Sequence, residues 1–209
     1  VRPDGRNDYG RLLRDGDGTL VGIMEASDAM PDQDTSPEVC AGVYCFNLEV
    51  LSDALSKVDT DNVQNERYLT RVFATLSASG ATVCAIPHGD AAELHGVNSR
   101  AELARAEAFL RLRKLTCLME SGVTVRDPAT TYVDVDVSVG TDSTLYPGTI
   151  LEGSTVIGTG CVIHSGVRVT DSQIGNCVTI LDGTIVEGSS VETEATLGPY
   201  ARLRPGSEI

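Results

Sequence analysis

An aliphatic side chain returns every sixth residue over the last third of this chain. Val133, Val139, Leu145, Leu151, Ile157, Ile163 and Val169 stand six apart. A five-residue step leads to Ile174, Ile180 and Val186, and a second to Val191, Leu197, Leu203 and Ile209. A helix repeats every 3.6 residues and a strand every two, so neither alone produces this period. A triangular coil of short parallel strands does. Each side is one hexapeptide with one aliphatic pointing inward, three sides make a coil, and stacked coils align the aliphatics in ladders. Corners need small residues or positive φ, and Gly148, Ser154, Gly160, Gly166, Gly183 and Gly206 stand where corners fall. The fold expected from about residue 122 is therefore a parallel β-helix of hexapeptide repeats. Ile209 is an inward position with no polar cap, so we expect the natural protein to continue or another chain to cover that end.

Aromatics make up only 4% of the chain and Trp is absent, which suits an interior of small aliphatics and glycine. The formal charge of −14 argues against nucleic acid and against insertion into or adsorption on an anionic membrane. It leaves room for a small phosphorylated ligand held by local Arg or backbone N–H groups. The six cysteines form no Cys-x-x-Cys pair, and no signal peptide or long apolar run is present. Reduced thiols in a cytoplasmic protein are expected. The chain starts at Val1, without Met, in a polar stretch.

Before residue 120 the six-residue rule is absent. "LLRDGDGTLVGIME" reads as two strands about an Asp-Gly turn. "AGVYCFN" (41–47) and "TVCAIP" (82–87) read as short buried strands. "LEVLSDALSKV" and "RYLTRVFATLSASG" carry helical spacing, the second ending at a C′ glycine, Gly80. Strands alternating with helices argue an α/β layer. Ser99 and Glu102 then form a capping box, and the run to about Ser121 holds neither Pro nor Gly. That helix, roughly 33 Å long at 1.5 Å per residue, reads as a connecting arm.

An α/β module, an arm and a hexapeptide prism in this order resemble one family, the bifunctional bacterial enzymes that make UDP-N-acetylglucosamine for the cell wall. "DYGR" (8–11) is similar to the family's Gly-Tyr-Gly-Arg, and "IMEASDA" (23–29) to its Ile-Val-Glu-x-x-Asp-Ala. "DNVQNERYLTR" (61–71), "HGVNSR" (95–100), "VRDPATTYVD" (125–134) and "GPYARLRPGSEI" (198–209) resemble further family strings. The resemblance implies a partial nucleotidyltransferase-like domain over 1–98, the C-terminal part of a Rossmann-like fold. It implies a helical arm over 99–121 and a truncated left-handed parallel β-helix over 122–209. The implied reactions are acetylation of glucosamine-1-phosphate from acetyl-CoA and uridylyl transfer from UTP to N-acetylglucosamine-1-phosphate. Mg²⁺ is the implied cofactor, sugar phosphates and nucleotide sugars are the implied ligands, and a homotrimer built through the β-helix is the implied assembly.

The resemblance also assigns residues. The Gly10 backbone and the Glu25 carboxylate would hold the N-acetylglucosamine moiety. Cys40 occupies a substrate-facing position where the family has Asn, and a thiol is a poor hydrogen-bond donor. Asn98 would contact the uridine nucleotide and help hold Mg²⁺, as a hard oxygen ligand. Arg204 would clamp the anionic substrate of the acetyl-transfer site. Arg71 and Ser99 depart from the family's Asp and Asn. The phosphate-cradling loop and the metal-binding Asp of the family would precede Val1, and the acetyl site's His and Lys would follow Ile209. The chain is therefore expected to hold parts of both sites, with no catalytic residue of its own and little activity alone. Two other readings stay open: another sugar-1-phosphate nucleotidyltransferase with a β-helix domain, or a non-catalytic trimerising remnant.

Overall fold

The computed structural model describes residues 9–29 and 38–209. Asp8 of the first family string and the polar leader at 1–7 lie outside the described residues. The chain divides into two compact units, Val1–Gly96 and Val97–Ile209.

In the first unit, β1 (Arg11–Arg14) and β2 (Leu20–Met24) form an antiparallel hairpin. Its turn is organised by Asp15, whose Oδ1 accepts from the N–H groups of Asp17 and Thr19 at 3.0 and 2.8 Å. Gly18 supplies the positive φ that the turn requires. Helix α1 (Leu48–Leu55) begins at Asn47, whose side chain accepts from two first-turn N–H groups. Helix α2 (Arg71–Ala78) ends at Gly80, where φ is positive and the Ala81 N–H closes back onto the Leu76 carbonyl. Ala54, Val58, Val72 and Leu76 form the small core between the helices, with Phe46 and Val83 packed against it.

Two expected strands require correction. Residues 41–47 and 82–87 form no strand and join no ladder among the described residues. Their side chains still alternate: Tyr44, Phe46, Val83 and Ala85 turn partly inward, while Val43 and Ile86 are 79% and 92% exposed. Apolar alternation registers which face packs on a core. A strand also needs a hydrogen-bonding neighbour, and composition does not report one.

The second unit opens with α3 (Arg100–Glu120) and continues as a parallel solenoid of about five turns. The capping box is in place: Ser99 Oγ accepts from the Glu102 N–H, and Glu102 Oε2 accepts from the Asn98 N–H at 2.8 Å. Those bonds to the Asn98 amide and the Ser99 hydroxyl hold the Glu102 carboxyl below its ordinary pKa. The last turn of α3 buries Leu115 and Leu118 in the same core as the first coil, beside Val123, Val133 and Val137. Lys114 fixes this end further, donating to the carbonyls of Val135 and Val137 at 2.8 and 2.7 Å, and Arg111 lies over the Tyr132 ring.

Three faces build the solenoid. The first stacks Thr124–Val125, Thr144–Leu145, Val162–Ile163, Thr179–Ile180 and Thr196–Leu197. The second runs from Tyr132–Val133 through Ile150–Glu152, Arg168–Thr170 and Ile185–Glu187 to Arg202–Leu203. The third runs from Ser138–Val139 through Val156–Ile157 and Gln173–Ile174 to Ser190–Val191. Register holds throughout, with Leu145 opposite Ile163 and Val169 opposite Val186. Of the fourteen periodic aliphatics, twelve are buried; Val139 is half-buried against the core and Ile209 is 54% exposed. Both five-residue steps fall in one corner, between the second and third faces, after Val169 and after Val186.

A second buried position stands two residues before the aliphatics from Val133 to Val191. Ser143, Cys161, Thr149, Val167, Thr184, Thr155, Ser172 and Ser189 all occupy it. The corner narrows there, so only small side chains fit, and their hydroxyls satisfy corner carbonyls that the ladders leave over. Thr149 Oγ1 donates to the Tyr146 carbonyl at 2.8 Å, and Thr155 Oγ1 to that of Glu152 at 2.7 Å. Thr184 differs: its buried hydroxyl has no hydrogen-bond partner among the described residues. Replacing Thr184 by Val removes an unpaired polar group without a change of shape and is expected to leave stability unchanged or slightly raised. Thr149→Val should cost about 1 kcal/mol. Urea unfolding of the two variants beside the parent chain checks the contrast.

Candidate functional site

The first unit gathers three of the five candidate residues. Gly10 is buried beside β1, and its carbonyl accepts from the Cys40 N–H at 2.9 Å. A Cβ at Gly10 would lie 2.9 Å from Ile23 Cγ2 and 3.6 Å from Glu25 Oε2. The Gly10 backbone thus lies beside the Glu25 carboxylate, and a side chain there would press on the Ile23 methyl and on the Met24 carbonyl, 3.3 Å away. Glu25 follows the end of β2, and its Oε1 accepts from Thr70 Oγ1 at 2.6 Å.

Thr70 stands at the N-cap of α2, where a threonine ordinarily bonds the helix's own N–H groups. It makes no such bond; its backbone is helical and its hydroxyl is committed to Glu25. Arg71 follows at the first helical position, where a cation opposes the helix dipole. Asp59, at 2.6 Å, and Asp28, at 4.0 Å, offset it. The family departure at Arg71 is thus accommodated by acidic neighbours.

Cys40 is half-buried, and its Sγ shares a hydrogen bond of 3.1 Å with the Tyr44 hydroxyl. Tyr44 packs on Phe46 and Phe73, with ring centroids 6.0 and 5.3 Å away. Burial first, then the Cys40 contact and the nearby Glu25 charge, hold the Tyr44 phenol well above its ordinary pKa. A further tie joins two of the family strings, as Tyr9 Oη accepts from the Gly96 N–H at 2.7 Å.

Tyr44 and Thr70 belong to this cluster, and sequence alone does not mark them as site residues. Thr70 lies inside the string "DNVQNERYLTR", which carried the signal. For Tyr44 the only signal was an aromatic in an apolar run, which reads as core.

Asn98 and Arg204 belong to the second unit. The Asn98 backbone N–H is used by Glu102, and its side chain is exposed. Arg204 is exposed on the last coil; its carbonyl accepts from Ser189 Oγ at 2.9 Å, and its guanidinium makes no ion pair among the described residues. That leaves the guanidinium available to an anion. The second-face arginines before it are committed, Arg168 bidentate to Glu152 at 2.6 and 3.0 Å and Arg202 to Glu187 at 3.1 Å.

The donor set does not fit a resident Mg²⁺. Asn98 offers one oxygen, and among the described residues no group of three or more His, Cys, Asp or Glu side chains could hold a metal ion. No helix among the described residues is long and apolar enough to cross a membrane.

No family model matches the chain. Curated relatives do. The bifunctional protein GlmU of Carboxydothermus hydrogenoformans is 43% identical over 201 residues, 96% of this chain and 45% of that protein. GlmU of Acetivibrio thermocellus is 42% identical over 207 residues, 99% of this chain and 44% of the relative. GlmU of Streptomyces coelicolor is 43% identical over 202 residues, 96% and 42% respectively. The chain thus spans a little under half the length of the curated relatives it matches. Among solved structures, the acetyltransferase domain of PglB from Neisseria gonorrhoeae aligns over 49% of this chain and 62% of its own, at 14% identity and a TM-score of 0.21. A hexapeptide transferase family protein from Anaplasma phagocytophilum aligns over 41% and 72%, at 17% identity and a TM-score of 0.17.

Proposed function

This chain is kin to the bifunctional GlmU proteins along about 45% of their length, and from that premise we propose that it carries parts of two substrate sites of UDP-N-acetylglucosamine synthesis. The reactions are acetyl transfer from acetyl-CoA to glucosamine-1-phosphate and uridylyl transfer from UTP to N-acetylglucosamine-1-phosphate. The observation that carries the reading is the meeting at Gly10 of residues distant in sequence: its carbonyl holds the Cys40 N–H, and its backbone lies beside the Glu25 carboxylate.

In this reading Glu25 accepts hydrogen bonds from sugar hydroxyls. Thr70 fixes its rotamer, and the absence of a side chain at Gly10 lets the sugar approach the backbone. Asn98 contacts the uridine nucleotide. Arg204 serves the acetyl-transfer site, where its planar fork matches a phosphate bidentately. The flat solenoid faces suit packing against two further copies, and the assembly is proposed to be a homotrimer.

A thermal-shift titration with UDP-N-acetylglucosamine tests the proposal. A ligand at 100 times its Kd stabilises the folded state by about 2.7 kcal/mol, enough for a clear rise in Tm. The rise is expected to saturate in the parent chain and to vanish in Glu25→Ala. An equal rise in both proteins, or none in the parent chain, overturns the reading.

A further inference from the structure

The candidate sugar cluster is closed by side chains that no ligand-contact role accounts for. Gly10 holds Cys40 through a backbone hydrogen bond, and Cys40 holds the Tyr44 hydroxyl through its thiol. Tyr44 rests on Phe73 within α2, and Thr70 at the head of α2 holds Glu25. Glu25 returns to Gly10, whose backbone lies beside its carboxylate. Two links of the circuit are hydrogen bonds between side chains, the Thr70–Glu25 pair and the Cys40–Tyr44 thiol–phenol pair.

We infer that Tyr44 is a positioning residue of this site, pinning the Cys40 thiol so that Cys40 offers a bound sugar only the one weak hydrogen bond the thiol has left. The inference rests on the reading of the cluster as a sugar site. A thiol is a weak donor and a weak acceptor, and here one of those two capacities is taken by Tyr44. A sugar hydroxyl facing Cys40 is then read only weakly. A site that bonds a hydroxyl rejects the deoxy analogue by several orders of magnitude, whereas one that only touches it discriminates by about 10- to 100-fold. The cluster is accordingly a sugar site of relaxed discrimination at one ring position, strict where Glu25 and Gly10 act. Tyr44 itself touches no reacting atom; it acts through Cys40.

The test uses the intact chain and thiol alkylation by iodoacetamide, read at each cysteine by peptide mass spectrometry. Tyr44→Phe keeps the ring on Phe46 and Phe73 and removes only the hydroxyl. Cys40 should then alkylate about two- to tenfold faster, the weight of one neutral hydrogen bond. Exposed Cys45 and Cys84 should be unchanged and serve as internal references. A merely structural role for Tyr44 would raise all three rates together, or none, and either result overturns the inference. Should Tyr44→Phe fold poorly, Cys40→Ser supplies the second variant: an oxygen keeps the Tyr44 bond, so its Tm should exceed that of Cys40→Ala, and equal values overturn the inference.

Repeating the alkylation with saturating UDP-N-acetylglucosamine separates the two readings. Protection of Cys40 alone supports both. A Cys40 rate that responds to Tyr44→Phe but not to the nucleotide sugar leaves the positioning role standing and overturns the sugar-site reading.

Discussion

Gly158→Ala is expected to cost the solenoid about 3 kcal/mol, the upper end of what overpacking ordinarily costs. The cause is stacking, not backbone conformation. A Cβ at Gly158 would lie 2.6 Å from the carbonyl carbon and oxygen of Gly175 on the next coil and 2.5 Å from Asn176 Oδ1. Two of those atoms are backbone, held by the parallel ladders, and cannot step aside. Gly140 and Gly175 stand in the same column, each 2.6 Å from the backbone of the coil beyond. Gly166→Ala supplies the contrast. Its φ is +69°, but a Cβ there meets nothing nearer than 3.9 Å. Only the left-handed backbone then opposes the side chain, at about 1 kcal/mol. Chemical denaturation of the two variants should rank them so; equal losses would mean that the coils part easily at the glycine column.

Leu115→Ala should cost about 2–5 kcal/mol, the range for emptying a buried leucine site. Leu115 is fully buried although it sits on a helix that is otherwise largely exposed. It closes the first coil from the inside, with Leu118 and Val123. Leu112, one turn earlier and 53% exposed, is the control, and Leu112→Ala is expected within about 0.5 kcal/mol of the parent chain. Similar melting curves for both variants would show that the helix end does not seal the tube.

The solenoid was legible because its physical cause repeats. Each coil poses the same packing problem to the same three positions, so Val, Leu or Ile answers every time. The buried residue two places earlier escaped notice because Ser, Thr, Cys and Val share it, and hydropathy scatters across that set. Only the narrowing of the corner makes them equivalent. The expected strands at 41–47 and 82–87 show the converse: their alternation is real, but alternation is a property of one chain segment and a ladder is a property of two.

The candidate site divides the same way. Glu25 and Gly10 were reached through strings that keep them near fixed neighbours. Thr70 and Tyr44 join the cluster only through tertiary contacts, with Glu25 and Cys40 respectively. Nothing in a single sequence ties Thr70 to a carboxylate 45 residues away. For Arg204 the sequence supplied the residue, and the structure adds that its guanidinium is uncommitted while those of Arg168 and Arg202 are engaged.

The shortened corner after Val169 and Val186 has a consequence for how such a chain tolerates change. There the wall loses a residue twice, yet the strands on either side keep their partners, Ile174 opposite both Ile157 and Val191. Asp171 takes the place that Gly153 and Ser154 share one coil earlier, and its carboxylate accepts from the Ser154 N–H at 2.9 Å. This edge is the expansion joint of the tube: lengthening or grafting of sequence belongs there, where an altered count is absorbed before the next rung begins.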